Sequence, residues 1–306
     1  MKTAYIYPGL NGLLRRTDRV KFLALPEVQA RFKTAEVGLA SQAGVKIDFN
    51  ELLSLPTEEI YALENVSLAA IAICAIQCGI SDRLKQTHPQ PDWLMGCSMG
   101  DLARAVHAGA YDYETAVVNY VRFTRDIFGL DQIGKNIAVS APKGESFSAD
   151  DYAWFDEIEV DVSRLNPRML NIGGRFAELA LIEERAASKG WNTLTLLDYP
   201  AHSRYILPYV EKVEVAALDI RTQPPSIPIF SSISLRSLSD PDEIKREFLL
   251  SISQTLQWDQ AVTRLVQDHG ITRFVNIGPC RSLSGVMKDL AVEAEMVEAY
   301  DLMELS

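Results

Sequence analysis

The 306 residues carry 41 Asp and Glu against 30 Lys and Arg, a formal net charge of −11, and 47% of them are hydrophobic. So acidic a chain is poorly suited to nucleic acid or to an anionic membrane surface, and any acidic protein partner would need a local basic patch on which to dock. The length allows one large core or two unequal ones and is too great for a bare binding module.

The N-terminus, MKTAYIYPGL, lacks the charged head and apolar stretch of a signal peptide. Ala4 to Tyr7 reads as a first strand running into the turn Pro8-Gly9-Leu10-Asn11-Gly12, and Pro26–Leu39 and Thr57–Ile80 read as helices. The longest apolar segment, Val66 to Ile80, is too short to span a bilayer and is broken by Ser67 and Gln77, so a buried helix is expected. Cys74 and Cys78 lie four apart on it, with no histidine nearby to complete a metal site. With Cys97 and Cys280 they show no disulfide framework, and a reducing cytoplasm is the expected compartment.

Trp93–Met95 is a short buried strand, followed by helices at Gly100–Ala108 and Glu114–Ile127. From Ile133 to Asp198 the texture changes: strand Ile137–Ser140, helix Asp150–Phe155, strands Ile158–Val162 and Arg168–Ile172, helix Phe176–Lys189, strand Thr193–Leu197. That βαββαβ order is the split pattern of a ferredoxin-like unit. Sheet strands resume at Pro228–Ser231 and Arg273–Ile277. The expectation is an α/β fold with a mostly parallel sheet in a large lobe (1–130 and 197–306) and an inserted small lobe (131–196).

Gly96-Cys97-Ser98-Met99-Gly100 lies between a strand and a helix. This is the setting of a nucleophile elbow, in which a serine sits on a sharp turn. The turn places the Met99 N–H at a helix start, where developing negative charge is favoured. A serine needs a base. Among four histidines, His107 points away on the following helix, and His88 and His269 suit surface or capping positions. His202, in LLDYPAHSRY, follows the last strand of the small unit at the junction with the large lobe, where a cleft is expected.

With these two residues in place the chain resembles the malonyl-CoA:acyl-carrier-protein transacylases, the family that also supplies acyltransferase domains to polyketide synthases. YPGLNG (7–12) resembles its opening F-P-G-Q-G, and GCSMGDLARAVHAGAYDYETAV (96–117) its G-H-S-L-G-E stretch without a gap. NPRMLNIGG (166–174), PAHS (200–203), IPIFSSIS, LQWDQAV and FVNIGPCRSLSGV follow in the family's order. The resemblance implies an α/β-hydrolase-like large lobe and ping-pong acyl transfer in fatty-acid or polyketide biosynthesis. Ser98 would be the nucleophile, His202 the proton shuttle, and the backbone N–H groups of Met99 and Leu10 the oxyanion donors. A backbone carbonyl near Gln257 would orient the histidine. Coenzyme A or phosphopantetheine thioesters would be substrates, with no bound cofactor and no metal.

The departures are informative. Cys97 stands where the family has histidine. Malonyl-using members carry an arginine twenty-five residues after the serine, gripping malonate's free carboxylate, and that position here is Phe123. Ala201, with Tyr199 in the stretch ending at His202, replaces a bulky residue found in malonyl users. With Gly9, Cys97, Phe123, Tyr199 and Ala201 around the acyl group, a donor without a free carboxylate is expected, from an acyl-CoA or acyl-carrier protein. Arg15, Arg16 and Arg19 form the densest basic cluster and are candidates for docking an acyl carrier protein, or simply a solvated helix face. An acyl-carrier-protein hydrolase, a malonyl transacylase with a compensated pocket and a silent docking subunit stay open as alternatives.

Overall fold

The computed structural model describes residues 1–13, 16–128 and 133–303. Its strands, in chain order, are β1 (Lys2–Tyr7), β2 (Trp93–Gly96), β3 (Gly134–Ser140), β4 (Asp161–Asn166), β5 (Met169–Arg175), β6 (Asn192–Leu197), β7 (Ile229–Phe230), β8 (Ser237–Leu238), β9 (Ile271–Asn276) and β10 (Glu295–Glu298). The large sheet has the order β10-β9-β1-β2-β7-β8 and is parallel except for β8. The small sheet has the order β4-β5-β3-β6 and is antiparallel throughout. This is the pairing a βαββαβ unit produces when its two helices cover one face.

Period-two alternation in β1 explains how the large sheet is covered on both sides. Tyr5 and Tyr7 enter one core cluster, built around the helix Val66–Thr87, while Ala4 and Ile6 enter the other, built around Trp258 and Phe274. A third cluster, with Phe155 and Trp191 among its members, fills the small lobe. The helix Val66–Thr87 has the length and apolarity to cross a membrane, yet 83% of its most apolar stretch is buried inside the protein.

Two expected elements differ. The single helix over Thr57–Ile80 is broken into Thr57–Ile60 and Val66–Thr87. At the break the Asn65 side chain donates to the Glu59 carbonyl at 3.0 Å, the local competition that makes asparagine a poor helix-interior residue. The strand expected at Ile158–Val162 starts at Asp161. Its predecessor helix runs to Glu157 and ends through Glu159 in the left-handed region, φ 57°, which turns the chain before pairing begins.

β1 and β2 lie side by side, Tyr7 opposite Gly96, so the loops leaving their C-terminal ends emerge together. The helix after β2, Gly100–His107 (the elbow helix), packs its first turn directly onto the end of β1. A Cβ at Gly100 would stand 2.0 Å from the Tyr7 carbonyl oxygen, so no larger residue fits without moving backbone. Gly100→Ala should therefore destabilise the protein by about 3 kcal/mol or more, which chemical denaturation will measure.

Candidate active site

Ser98 sits at the apex of the turn between β2 and the elbow helix with φ 57°, a conformation that costs a non-glycine residue about 1–2 kcal/mol. Backbone bonds hold it there: Cys97 N–H donates to Tyr7 O at 2.9 Å, Gly100 N–H to Cys97 O at 3.1 Å, and Asp101 N–H to Ser98 O at 2.9 Å. Gly9 lies across from the serine. A Cβ there would come within 3.1 Å of Cys97 O and 3.4 Å of Ser98 Cβ. Met99 precedes the elbow helix and Leu10 opens the 3₁₀ turn Leu10–Leu13, so both N–H groups lie ahead of any intrahelical acceptor.

That 3₁₀ turn is held from outside by two residues with no sequence signature. Gln77 Nε2 donates to Pro8 O at 2.7 Å, and the Tyr61 hydroxyl accepts from Leu13 N–H at 3.1 Å while donating to Leu10 O.

His202 follows β6 and is also left-handed, φ 58°. Its N–H donates to Ile252 O at 2.8 Å, and Asn136 Nδ2 donates to Ala201 O at 2.8 Å. The two turns meet at Ser98 Oγ and His202 Nε2, 2.7 Å apart. With Oγ–H donating to Nε2, the ring proton belongs on Nδ1, which is buried and makes no hydrogen bond of regular geometry. The acceptors close enough to favour the charged ring are the backbone carbonyls of Gln254 and Ser251, at the C-terminal end of the helix Pro241–Ser253. They steer the ring without clamping it, and the negative end of the helix dipole adds to their effect. Burial outweighs them and lowers the His202 pKa to about 4.

A cavity of about 50 Å³ opens beside the pair, lined among others by Leu10, Met99, Tyr120, Phe123, Tyr199, Ala201 and Phe248. Phe123 is fully buried and packs on Tyr120 (ring centroids 4.9 Å apart) and Phe248 (5.4 Å). Among the described lining residues no side chain is charged. Arg122, next to Phe123, turns away: its guanidinium donates to Asn119 Oδ1 and Gln42 O and faces Asp219. The Arg125 side chain lies outside the described residues.

Several expected site residues take other places. The Gln257 N–H bonds Ser232 O at 2.7 Å and the residue precedes the helix Trp258–Gln267; the carbonyls facing the ring are those of Gln254 and Ser251, three and six residues earlier. Cys97 points to the opposite face of the sheet from the elbow helix, among Met95 and Phe230, and does not line the cavity; burial pushes its thiol up to about 12. Arg19 is not a surface cation. It is buried, donating to Leu53 O, Leu55 O and Thr57 Oγ1, out of reach of a carrier protein. Arg15 and the Arg16 side chain lie outside the described residues. Of the other histidines, His107 is a buried partner of the Tyr7 hydroxyl, His88 meets Thr87 Oγ1, and His269 stacks at 4.4 Å on Trp93. Phe248, Tyr120, Ser251 and Gln254 are the site residues that sequence reasoning missed. Among the described residues no group of three or more His, Cys, Asp or Glu could hold a metal.

A model of the acyl transferase domain family matches residues 20–303. The chain belongs to this family. The malonyl CoA-acyl carrier protein transacylase of Bacillus subtilis (strain 168) is 23% identical to this acyltransferase over 310 residues, covering 98% of the chain and 94% of that protein. Polyketide synthase GfsA of Streptomyces halstedii is 25% identical over 303 residues, 95% of the chain but 4% of the synthase. Among solved structures, the malonyl-CoA:ACP transacylase of Synechocystis sp. PCC 6803 superposes with a TM-score of 0.84 at 18% identity, covering 100% of this chain and 99% of that one. A type II PKS acyl-carrier protein in complex with its malonyl-transacylase gives 0.82 at 18%, covering 97% and 96%. The fold is shared throughout.

In ¹⁵N-histidine NMR the His202 ring should remain neutral from pH 8 down through pH 5 and titrate near 4; a midpoint at the ordinary 6.5 would contradict the buried, carbonyl-facing environment.

Proposed function

We propose that this acyltransferase moves a short acyl group without a free carboxylate from an acyl thioester, acyl-CoA or acyl-carrier protein, to the phosphopantetheine thiol of an acyl carrier protein through an acyl-Ser98 intermediate. The 2.7 Å contact between Ser98 Oγ and His202 Nε2 carries the chemistry, and Phe123 in a cavity with no charged side chain among its described lining residues carries the substrate class.

In the first half-reaction His202 Nε2 takes the Ser98 proton as Oγ attacks the thioester carbonyl. The Met99 and Leu10 N–H groups face the oxyanion, each such donor being worth about 10²–10³ in rate. The C–S bond breaks, and the departing sulfur leaves as a thiol with the proton from His202. In the second half the incoming thiol gives its proton to His202, attacks the ester and releases Ser98, which recovers a proton from the ring. A pKa near 4 keeps the ring neutral and ready at pH 7 in both directions.

A cavity of about 50 Å³ has room for roughly three to five non-hydrogen atoms. Among the described lining residues a malonyl carboxylate would find no cationic partner, and a buried charge left so costs several kcal/mol. Mass spectrometry after exposure to a panel of acyl thioesters tests the reading. Short apolar acyl groups should label Ser98 about 10²-fold faster than malonyl, since each 1.4 kcal/mol is tenfold. Phe123→Arg should narrow that ratio, and Ser98→Ala should abolish labelling. Fast, selective acylation by malonyl-CoA refutes the substrate class. Release of free acid with no transfer when a second carrier is supplied identifies a hydrolase instead.

A further inference from the structure

The guanidinium of Arg104, on the elbow helix, is 1% exposed and lies between two buried carboxylates, Asp101 and Glu247. Its Nε stands 3.0 Å from Asp101 Oδ1, its Nη2 3.6 Å from Glu247 Oε1, and its Nη1 donates to Phe230 O in β7 at 2.7 Å. Glu247 in turn accepts from the hydroxyls of Ser231 and Ser234, which follow β7.

Both carboxylates sit next to the site. Asp101 packs under the serine turn: a Cβ at Gly96 would come within 2.3 Å of its Oδ1, and its N–H bonds Ser98 O. Glu247 belongs to the helix Pro241–Ser253, whose end supplies the Ser251 and Gln254 carbonyls around the His202 ring and the Ile252 carbonyl that accepts the His202 N–H. One fixed cation therefore touches the element that carries Ser98 and the element that holds His202.

We infer that Arg104 is a positioning residue: with Asp101 and Glu247 it ties the serine turn to the histidine-facing helix and sets the separation of Ser98 Oγ and His202 Nε2. Stability is a poor reason for such a cluster. Buried ion pairs repay their desolvation only with good geometry, and well-packed apolar replacements are often neutral or stabilising. The geometry is loose at both carboxylates: the Glu247 contact is 3.6 Å, and Arg104 Nε and the Asp101 oxygens make no hydrogen bond of regular geometry. Burial and the Glu247 charge push Asp101 up to about 7 against the pull of Arg104, the mark of two carboxylates sharing one guanidinium. What the cluster does offer is reach, since one cation on the elbow helix is hydrogen-bonded to the β7 carbonyl and faces the Glu247 carboxylate of another helix, contacts that apolar packing does not supply.

The test is Arg104→Met made together with Glu247→Gln. This removes the guanidinium and its charged partner, leaves Asp101 free to protonate, and keeps an acceptor for Ser231 Oγ. The crystal structure of the double variant and its rate of Ser98 acylation by a short acyl thioester are both measured. The expected variant is folded, with Oγ and Nε2 more than 3.5 Å apart, an unchanged half-saturating thioester concentration and acylation slowed about 10²-fold. A folded variant that keeps the 2.7 Å contact overturns the inference. The inference rests on reading Ser98 as the nucleophile, and the two fail differently: an opened contact with an unchanged rate keeps the clamp and removes the nucleophile. Should the double variant not fold, Arg104→Lys, which keeps the charge but cannot reach Phe230 and Glu247 together, is judged by the same distance.

Discussion

Ser98 and His202 are brought to hydrogen-bonding distance by two turns that are each strained in the same way. Both residues adopt the left-handed conformation, φ 57° and 58°, and neither is glycine or asparagine. Each costs about 1–2 kcal/mol, and each persists because its neighbours leave the backbone no alternative. On the serine side, Gly9 and Gly100 let β1 and the elbow helix close on the turn from two directions. On the histidine side, the Ala201 carbonyl is held by Asn136 and the His202 N–H by Ile252. Asn136 belongs to the small sheet and Ile252 to the large lobe. The histidine is thus fixed by both lobes at once, and the small lobe has a structural part in the site without lining the acyl cavity.

The electrostatic environment of the histidine follows from that burial. Withdrawn from water, the neutral ring is favoured and the pKa falls to about 4. This trades basicity for availability. A weaker base is present in its neutral form over a wide pH range, and the Gln254 and Ser251 carbonyls lie where they favour the ring's charged form. Helix-end carbonyls do part of what a carboxylate does in a serine–histidine–aspartate arrangement. Having no titration of their own, they keep the ring's environment independent of a third group's protonation.

The parts of this arrangement that were legible in the sequence are those with local signatures. The serine turn could be read because a strand, small residues and an amphipathic helix follow one another within fifteen residues. The βαββαβ unit could be read because its six elements alternate in period. What escaped was non-local or capped. Arg19 looks like a surface cation in an Arg-rich stretch, and only the fold delivers the Leu53 and Leu55 carbonyls to it. The family motif lies at Gln257, whereas the carbonyls at the ring belong to the end of the preceding helix. That helix has a signal: Asp240 precedes Pro241 and its carboxylate accepts from the Asp242 and Glu243 N–H groups, and Ile244, Phe248 and Ser251 repeat at helical spacing. Cys97 had one too. It continues the alternation of Met95, so its side chain follows Met95 to the far face of the sheet.

Phenylalanine at position 123, rather than a cation, shapes the packing of the cavity wall. A guanidinium in this cavity would need acceptors, and none of the described lining residues is a carboxylate. Phe123 instead joins Tyr120 and Phe248 in a cluster of tilted and edge-on rings, each pair worth about 0.5–1.5 kcal/mol beyond the area it buries. Apolar surface therefore predominates on the cavity wall beside the Ser98–His202 pair. On the proposed mechanism the Met99 and Leu10 N–H groups would act on the oxyanion beside this wall with less screening than in water. The three rings are thus one packed unit, and replacing any one of them reshapes the wall of the cavity.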